Sequence, residues 1–160
     1  MCQKNGNDMK AKLHNYRNGI DVVPSHIVED IISTFSEHNE AIGLYQISDF
    51  RKDVLKGLKV KGWSDNLVLD NVSKISITGE KDGFGLCFQT GNVSRIYADL
   101  LKLQTLYVNG RIKAGIIIVP TKECAKEYTS NAATFERLTK EMSIFSKVIT
   151  SPLVIIGFYN

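Results

Sequence analysis

The side chains that could do chemistry gather in one stretch, Ser76 to Asp99, SITGEKDGFGLCFQTGNVSRIYAD. Ser76 and Thr78 alternate with Ile75 and Ile77, a period of two that predicts a strand. Gly79-Glu80-Lys81-Asp82-Gly83 has the composition of a turn. Leu86 and Phe88 then alternate with Gly85, Cys87 and Gln89. Residues two apart in a strand share a face, so Cys87 and Gln89 project together, away from Leu86 and Phe88. With Lys74–Thr78 and Gly85–Gln89 paired as an antiparallel hairpin, Ser76 and Thr78 lie beside them. Asn92-Val93-Ser94-Arg95 opens a helix. Polar groups where strands end and a helix begins are where α/β proteins hold ligands. A thiol enzyme built on Cys87 would need a base. His14, His26 and His38 all lie in the N-terminal quarter, at no spacing that suggests one. The pattern favours a small cysteine buried in a strand.

These groups must be positioned by the elements around them. Residues 1–20 are polar, carry Lys4, Lys10, Lys12 and Arg17, and predict a flexible N-terminal arm. Residues 21–160 predict a single domain. Ser25, after Pro24, is an N-cap for a helix over 26–38 with Ile27, Ile31, Ile32 and Phe35 on its apolar side. Asp49–Leu58 predicts a second helix, apolar at Phe50, Val54 and Leu58. Its other side is basic: Arg51, Lys52, Lys56, Lys59 and Lys61 stand against Asp53. Such a stripe can be a solvated face or can meet a phosphate backbone. Trp63 is expected as a core or rim anchor, and Asn66–Val72 as a short strand. Val93–Tyr107 is a helix with Val93, Ile96, Tyr97, Leu100, Leu101 and Leu103 as its stripe, closed by Asn109-Gly110. The continuous apolar runs Gly115–Val119 and Leu153–Phe158 suit strands buried on both faces. Between them, 121–147 reads as helix broken near Thr129–Asn131. The order helix, helix, hairpin, helix, strand, helix, strand predicts an α/β fold with a small mixed sheet covered on two faces.

The chain has 160 residues, 43% hydrophobic, with a net charge of +3. That permits contact with nucleic acid without arguing for it. No apolar run approaches the roughly 18 residues of a membrane span, and the N-terminus has no signal-peptide core, so a cytoplasmic protein without membrane contact is expected. Cys2, Cys87 and Cys124 form no C-x-x-C pair and have no histidine at metal-ligand spacing, which argues against zinc.

Gly62-Trp63, Leu86-Cys87-Phe88-Gln89, Gly91-Asn92, Gly115–Val119 and Pro152–Gly157, in that order, resemble the BglII-type restriction endonucleases, a branch of the PD-(D/E)XK nuclease superfamily. The resemblance covers Trp63 to Phe158. It implies a restriction-endonuclease-like mixed β-sheet flanked by helices, type II cleavage of duplex DNA by phosphodiester hydrolysis, and a homodimer. In that family an aspartate on the first hairpin strand is followed nine positions later by a glutamate, then one residue, then glutamine. The two carboxylates hold Mg²⁺, which activates water. The corresponding residues here are Thr78, Cys87 and Gln89, so only the glutamine is kept. Asn92 falls on an asparagine implied in DNA contact. Arg95 and the basic Arg51, Lys52, Lys56 and Lys59 are further candidates for DNA.

A hydroxyl and a thiol are poor ligands for a hard cation. Glu80, Asp82 and Asp99 are the nearest other carboxylates. The expectation is a fold that acts on or binds duplex DNA with a degenerate nuclease site. Mg²⁺ is the implied cofactor if the site is active and none otherwise, and the metal ligands are left open. The alternative is a catalytically inactive protein-interaction module on the same fold.

Overall fold

The computed structural model describes residues 9–37 and 47–160. Through its centre runs a five-stranded mixed sheet. The strand order is β1 (Lys10–Tyr16), β7 (Leu153–Tyr159), β6 (Ala114–Pro120), β5 (Phe84–Phe88) and β4 (Gly79–Lys81). β5, β6 and β7 are parallel, with Leu86 beside Ile116 and Ile116 beside Val154. β1 and β4 flank them antiparallel. A separate two-stranded ribbon joins β2 (Leu67–Asp70) to β3 (Ile75–Ile77).

Every residue of β5 and β6 is buried, as the unbroken apolar runs require. Their alternation divides the core into two layers. Leu86, Phe88, Ile116, Ile118, Val154 and Ile156 face α2 (Ser25–Ser36) and α3 (Ile47–Val60), which contribute Ile27, Ile31, Phe35, Phe50, Val54 and Leu58. Phe35, Phe50, Phe88 and Phe158 form a ring cluster with centroids as close as 5.1 Å. Contacts of this kind add about 0.5–1.5 kcal/mol per pair beyond burial. Cys87, Ile117, Val119, Leu153 and Ile155 face the other way, onto α4 (Val93–Val108) and α6 (Phe135–Glu141). Leu103 of α4 settles over Gly85 and Gly115, which are register partners. A Cβ on Gly115 would lie 3.0 Å from Leu103 Cδ1. The absent side chains bring α4 close to the sheet and fix the height of its polar face. This is the α/β architecture expected, with Gly115–Val119 as a buried central strand.

Several expectations are corrected. The hairpin pairs Gly79–Lys81 with residues 84–86 of β5 rather than Lys74–Thr78 with Gly85–Gln89. Its turn is only Asp82-Gly83, with φ 54° and 86°. Two left-handed residues make the turn whose twist matches paired strands, so the strands continue to its edges. Ile75–Ile77 leaves the main sheet for β2, and Thr78 marks the crossing. The arm expected over 1–20 is an edge strand from Lys10 onward, paired with β7 through Tyr16. An edge strand needs only one covered side and tolerates lysines, so its composition reads as polar. Tyr16 Oη donates to Ile149 O at 2.7 Å, and Arg17 Nε to the same oxygen at 3.1 Å. Gly19–Val22 forms α1, a short helix. Residues 1–8, Lys4 among them, and His38 at the end of the expected 26–38 helix lie outside the described residues. The helix expected over 121–147 is broken around Thr129–Asn131 as read, but its two parts are shorter, α5 (Lys122–Lys126) and α6, capped by Thr121 and Thr134. Between them Ala132 bridges to Asn92 and Ala133 N–H donates to Gly91 O. Backbone given to those contacts is not available to a helix. Trp63 is 4% exposed, an anchor in the α2–α3 layer.

Candidate functional site

Beyond the carboxyl end of β5, α3 on one face of the sheet and α4 on the other border a cleft of about 660 Å³. Ser76, Ile77 and Thr78 line it from the crossing strand, and Phe88 to Gly91 from the end of β5. Arg51 comes from α3, Arg95, Asp99 and Lys102 from α4, and Asn66 from the approach to β2. Thr78, Gln89, Arg51 and Arg95, distant in sequence, are thus brought to one place.

Thr78 Oγ1 accepts a hydrogen bond from Phe88 N–H at 2.9 Å. That bond ties the crossing segment to β5 where the two strands would otherwise separate. Cys87 is 1% exposed, and burial, with Asp99 nearby, pushes its thiol well above the ordinary value. It lies in the core layer beneath α4 and does not line the cleft. No histidine among the described residues lines the cleft either. The thiol-enzyme reading therefore lacks an accessible nucleophile and, among the described residues, a histidine base.

Gln89 shares a face with Cys87, as its spacing requires. Its amide is engaged at both ends: Oε1 accepts from Gly91 N–H at 3.0 Å and Nε2 donates to Asp99 Oδ2 at 2.8 Å. Asp99 is 7% exposed and turned toward the sheet. Its second oxygen accepts from Lys102 Nζ at 3.1 Å. Both oxygens of Asp99, the one carboxylate among the described residues of the cleft, are therefore already paired.

The guanidinium of Arg51 lies over the Phe88 ring, 5.6 Å from its centroid, and Nε donates to Phe88 O at 3.4 Å. Burial lowers its pKa below the ordinary value, and the charge of Asp99 opposes the shift. Arginine nevertheless remains charged. Arg95, Asp99 and Lys102 stand at i, i+4 and i+7 of α4, one helical face. Lys102 escaped the sequence reading although that spacing was there to be used.

Asn92 is the N-cap of α4, its Oδ1 accepting from Ser94 N–H at 2.9 Å and Ser94 Oγ at 3.1 Å. Reading an adenine edge takes both amide atoms of an asparagine, so contact with a base would compete with the cap. The basic stripe on α3 divides. Arg51 turns into the cleft, Lys52 pairs with Asp49 at 3.7 Å, Lys59 pairs with Asp65 at 3.0 Å, and Lys56 is exposed. Of the other carboxylates, Glu80 accepts from Gly83 N–H and closes the hairpin turn, and Asp82 is in that turn. Neither lines the cleft.

The donor set does not fit a divalent cation. Mg²⁺ is held by oxygens, commonly including one or two carboxylates. Among the described residues one carboxylate, paired on both oxygens, shares the cleft with Arg51, Arg95 and Lys102. Among the described residues no three His, Cys, Asp or Glu side chains come together as metal ligands. No described helix is long and apolar enough to cross a membrane.

A family model described as restriction endonuclease BglII/BglIII matches residues 11–158. The type II restriction enzyme BamHI of Bacillus amyloliquefaciens is 30% identical over 106 residues, 66% of this chain and 46% of that enzyme. The chain thus spans about half the length of that curated relative. A crystal structure of restriction endonuclease BglII complexed with a DNA 16-mer superposes with a TM-score of 0.77 at 12% identity, covering 94% of this chain and 77% of that one. A structure of free BglII gives 0.67 at 12% identity, covering 92% and 78%. At such identity the two structures speak for the fold.

Proposed function

The chain belongs to the BglII/BglIII restriction endonuclease family, and from that premise we propose that it binds duplex DNA with a nuclease site that has lost its magnesium chemistry. One observation carries the reading. At the positions where the resemblance implies the family's two carboxylates stand Thr78, whose hydroxyl braces β5, and Cys87, whose thiol is in the core. Without those charges a cation has no anchor, and water loses the ion that would lower its pKa. Gln89, tied to Gly91 and Asp99, orients the cleft wall rather than a nucleophile. Arg51 and Arg95 in the cleft, and Lys52, Lys56 and Lys59 along α3, supply charge for phosphates. Asn92 is the candidate for a base edge.

The same reading takes the protein as a cytoplasmic homodimer, since two-fold symmetry suits a duplex. In its support, Tyr97, Leu101, Phe145 and Val148 line an apolar groove of about 470 Å³ on the outer side of α4. The alternative, an inactive protein-interaction module, leaves the cations of the cleft without a task.

Plasmid DNA incubated with Mg²⁺ tests the loss of chemistry, and fluorescence anisotropy of a labelled duplex tests binding. The parent chain should bind in a salt-sensitive manner and leave supercoiled plasmid intact. Thr78→Asp combined with Cys87→Glu restores the charges, and nicking gained by that variant alone would support a degenerate site on a retained scaffold. Robust cleavage by the parent would overturn the reading.

A further inference from the structure

The geometry points to a cleft at the carboxyl end of β5 that takes a backbone phosphate of duplex DNA directly on Arg51, Arg95 and Lys102, in the place where a nuclease of this fold would hold its metal. This rests on the duplex-binding reading and specifies how the cleft would do it.

Among the described residues three cations and one carboxylate line the cleft, so their field attracts an anion and repels a divalent cation. Arg51 is the built part of the site. Its guanidinium is half-buried, stacked on Phe88, and spends one donor on Phe88 O. Its terminal N–H groups have no partner among the described residues. A desolvated cation without an anion is costly, and a phosphate oxygen pair matches the fork of an arginine. Arg95 likewise has no ion-pair partner among the described residues. It lies beside Gly91, where a Cβ would come within 3.5 Å of its Nη1. Lys102 is held by Asp99 at 3.1 Å, and a second anion can share its ammonium. The backbone N–H groups that open α4 are committed, Val93 to Asn131 O and Ser94 to the Asn92 cap. The anion therefore falls to the side chains. Asp99 holds Gln89 and Lys102 in place but opposes the ligand by its charge.

That opposition gives the test its sign. Anisotropy of a labelled duplex is measured in EDTA and again with Mg²⁺ at equal ionic strength, for the parent and for Arg51→Gln, Lys102→Gln, Asp99→Asn and Lys10→Gln. Lys10 is the control, on β1 at the far edge of the sheet. Binding by the parent should persist in EDTA and gain nothing from Mg²⁺. Arg51→Gln and Lys102→Gln should each weaken it roughly tenfold and reduce the log–log salt slope by about one. Asp99→Asn should tighten it several-fold, whereas at a metal site the same change would weaken it. Inorganic phosphate, against chloride at equal ionic strength, should displace duplex from the parent and less so from Arg51→Gln. Duplex binding unaffected by Arg51→Gln and Lys102→Gln would overturn the phosphate site and leave the duplex-binding reading standing. Binding that requires Mg²⁺, or is lost in Asp99→Asn, would overturn it in favour of a metal. A parent that binds no duplex removes both, and a response to inorganic phosphate alone would then assign the cleft to a free phosphate.

Discussion

Among single residues, Cys87 bears most on the proposed loss of metal chemistry. In the strand pattern it shares a face with Gln89, and on a nuclease it would stand where a ligand is needed. The closeness of α4, set by Leu103 over Gly85 and Gly115, makes that face core at Cys87 and cleft at Gln89. Burial raises the thiol of Cys87 well above its ordinary value and that of Cys124 to about 12. With Cys2 changed to serine, neither thiol should react with an alkylating reagent in the folded protein at neutral pH, and both should react in denaturant. Mass spectrometry of the native sample decides it, and rapid labelling of Cys87 would show that the core opens there. The same burial means that Cys87→Glu should cost stability, about 1–3 kcal/mol or more by the penalty for placing a polar group among apolar ones. The Thr78→Asp and Cys87→Glu variants are therefore to be compared at a temperature where both are folded.

Between elements, two contacts hold the frame at the amino-terminal ends of the parallel strands. Gly19 of α1 lies against β7, where a Cβ would be 2.2 Å from Leu153 O. A backbone carbonyl cannot swing aside, so Gly19→Ala should destabilise by about 1–3 kcal/mol, the range for overpacking. Chemical denaturation would measure it, and a neutral result would mean that β1 and α1 detach from β7 at little cost. Lys81 on β4 donates to Asp30 Oδ2 of α2 at 2.9 Å and to Lys61 O at 2.6 Å. The bond to Lys81 is the first cause holding the Asp30 carboxyl below its ordinary value. A lowered carboxylate pKa contributes stability that is complete above the unfolded pKa and is lost as pH falls through the folded one. Lys81→Met should thus cost about 0.5–1 kcal/mol at neutral pH, as for a partly exposed pair. The difference from the parent should shrink below about pH 4. A gap that stays constant down to acid pH would mean the lysine acts through packing and its bond to Lys61 O alone.

Across the whole molecule, α4 carries the cationic cleft on one side and the apolar groove on the other. Leu101 and Val148, 57% and 61% exposed, are apolar surface that water disfavours. With the proposed dimer using that face, Leu101→Glu should shift the protein to monomer in sedimentation equilibrium and weaken duplex binding through lost bivalency. A parent that is monomeric at tens of micromolar would remove the dimer. Leu101 is exposed, so the substitution leaves the core intact.

The sequence by itself determined the layers. Continuous apolar runs at 115–119 and 153–158 can only be satisfied by strands covered on both faces, and the stripe on Val93–Tyr107 required a helix packed on one of them. Thr78 and Cys87, at the positions where the resemblance implies carboxylates, could be named from residue identity alone, which needs no coordinates. Pairing was not legible. Ile75–Ile77 has the same alternation whether it joins β5 or β2, and only the Asp82-Gly83 turn and the ribbon partner chose. Nor was the edge strand Lys10–Tyr16, since a strand covered on one side carries too few apolar residues to stand out. Convergence was decided by tertiary structure alone. Arg51 and Lys102 lie 51 residues apart, on opposite faces of the sheet. They meet because α3 and α4 are both packed at the carboxyl end of β5. Local pattern specifies which side of an element is buried. Where two exposed sides come together depends on how the elements stack, which no short stretch of sequence encodes.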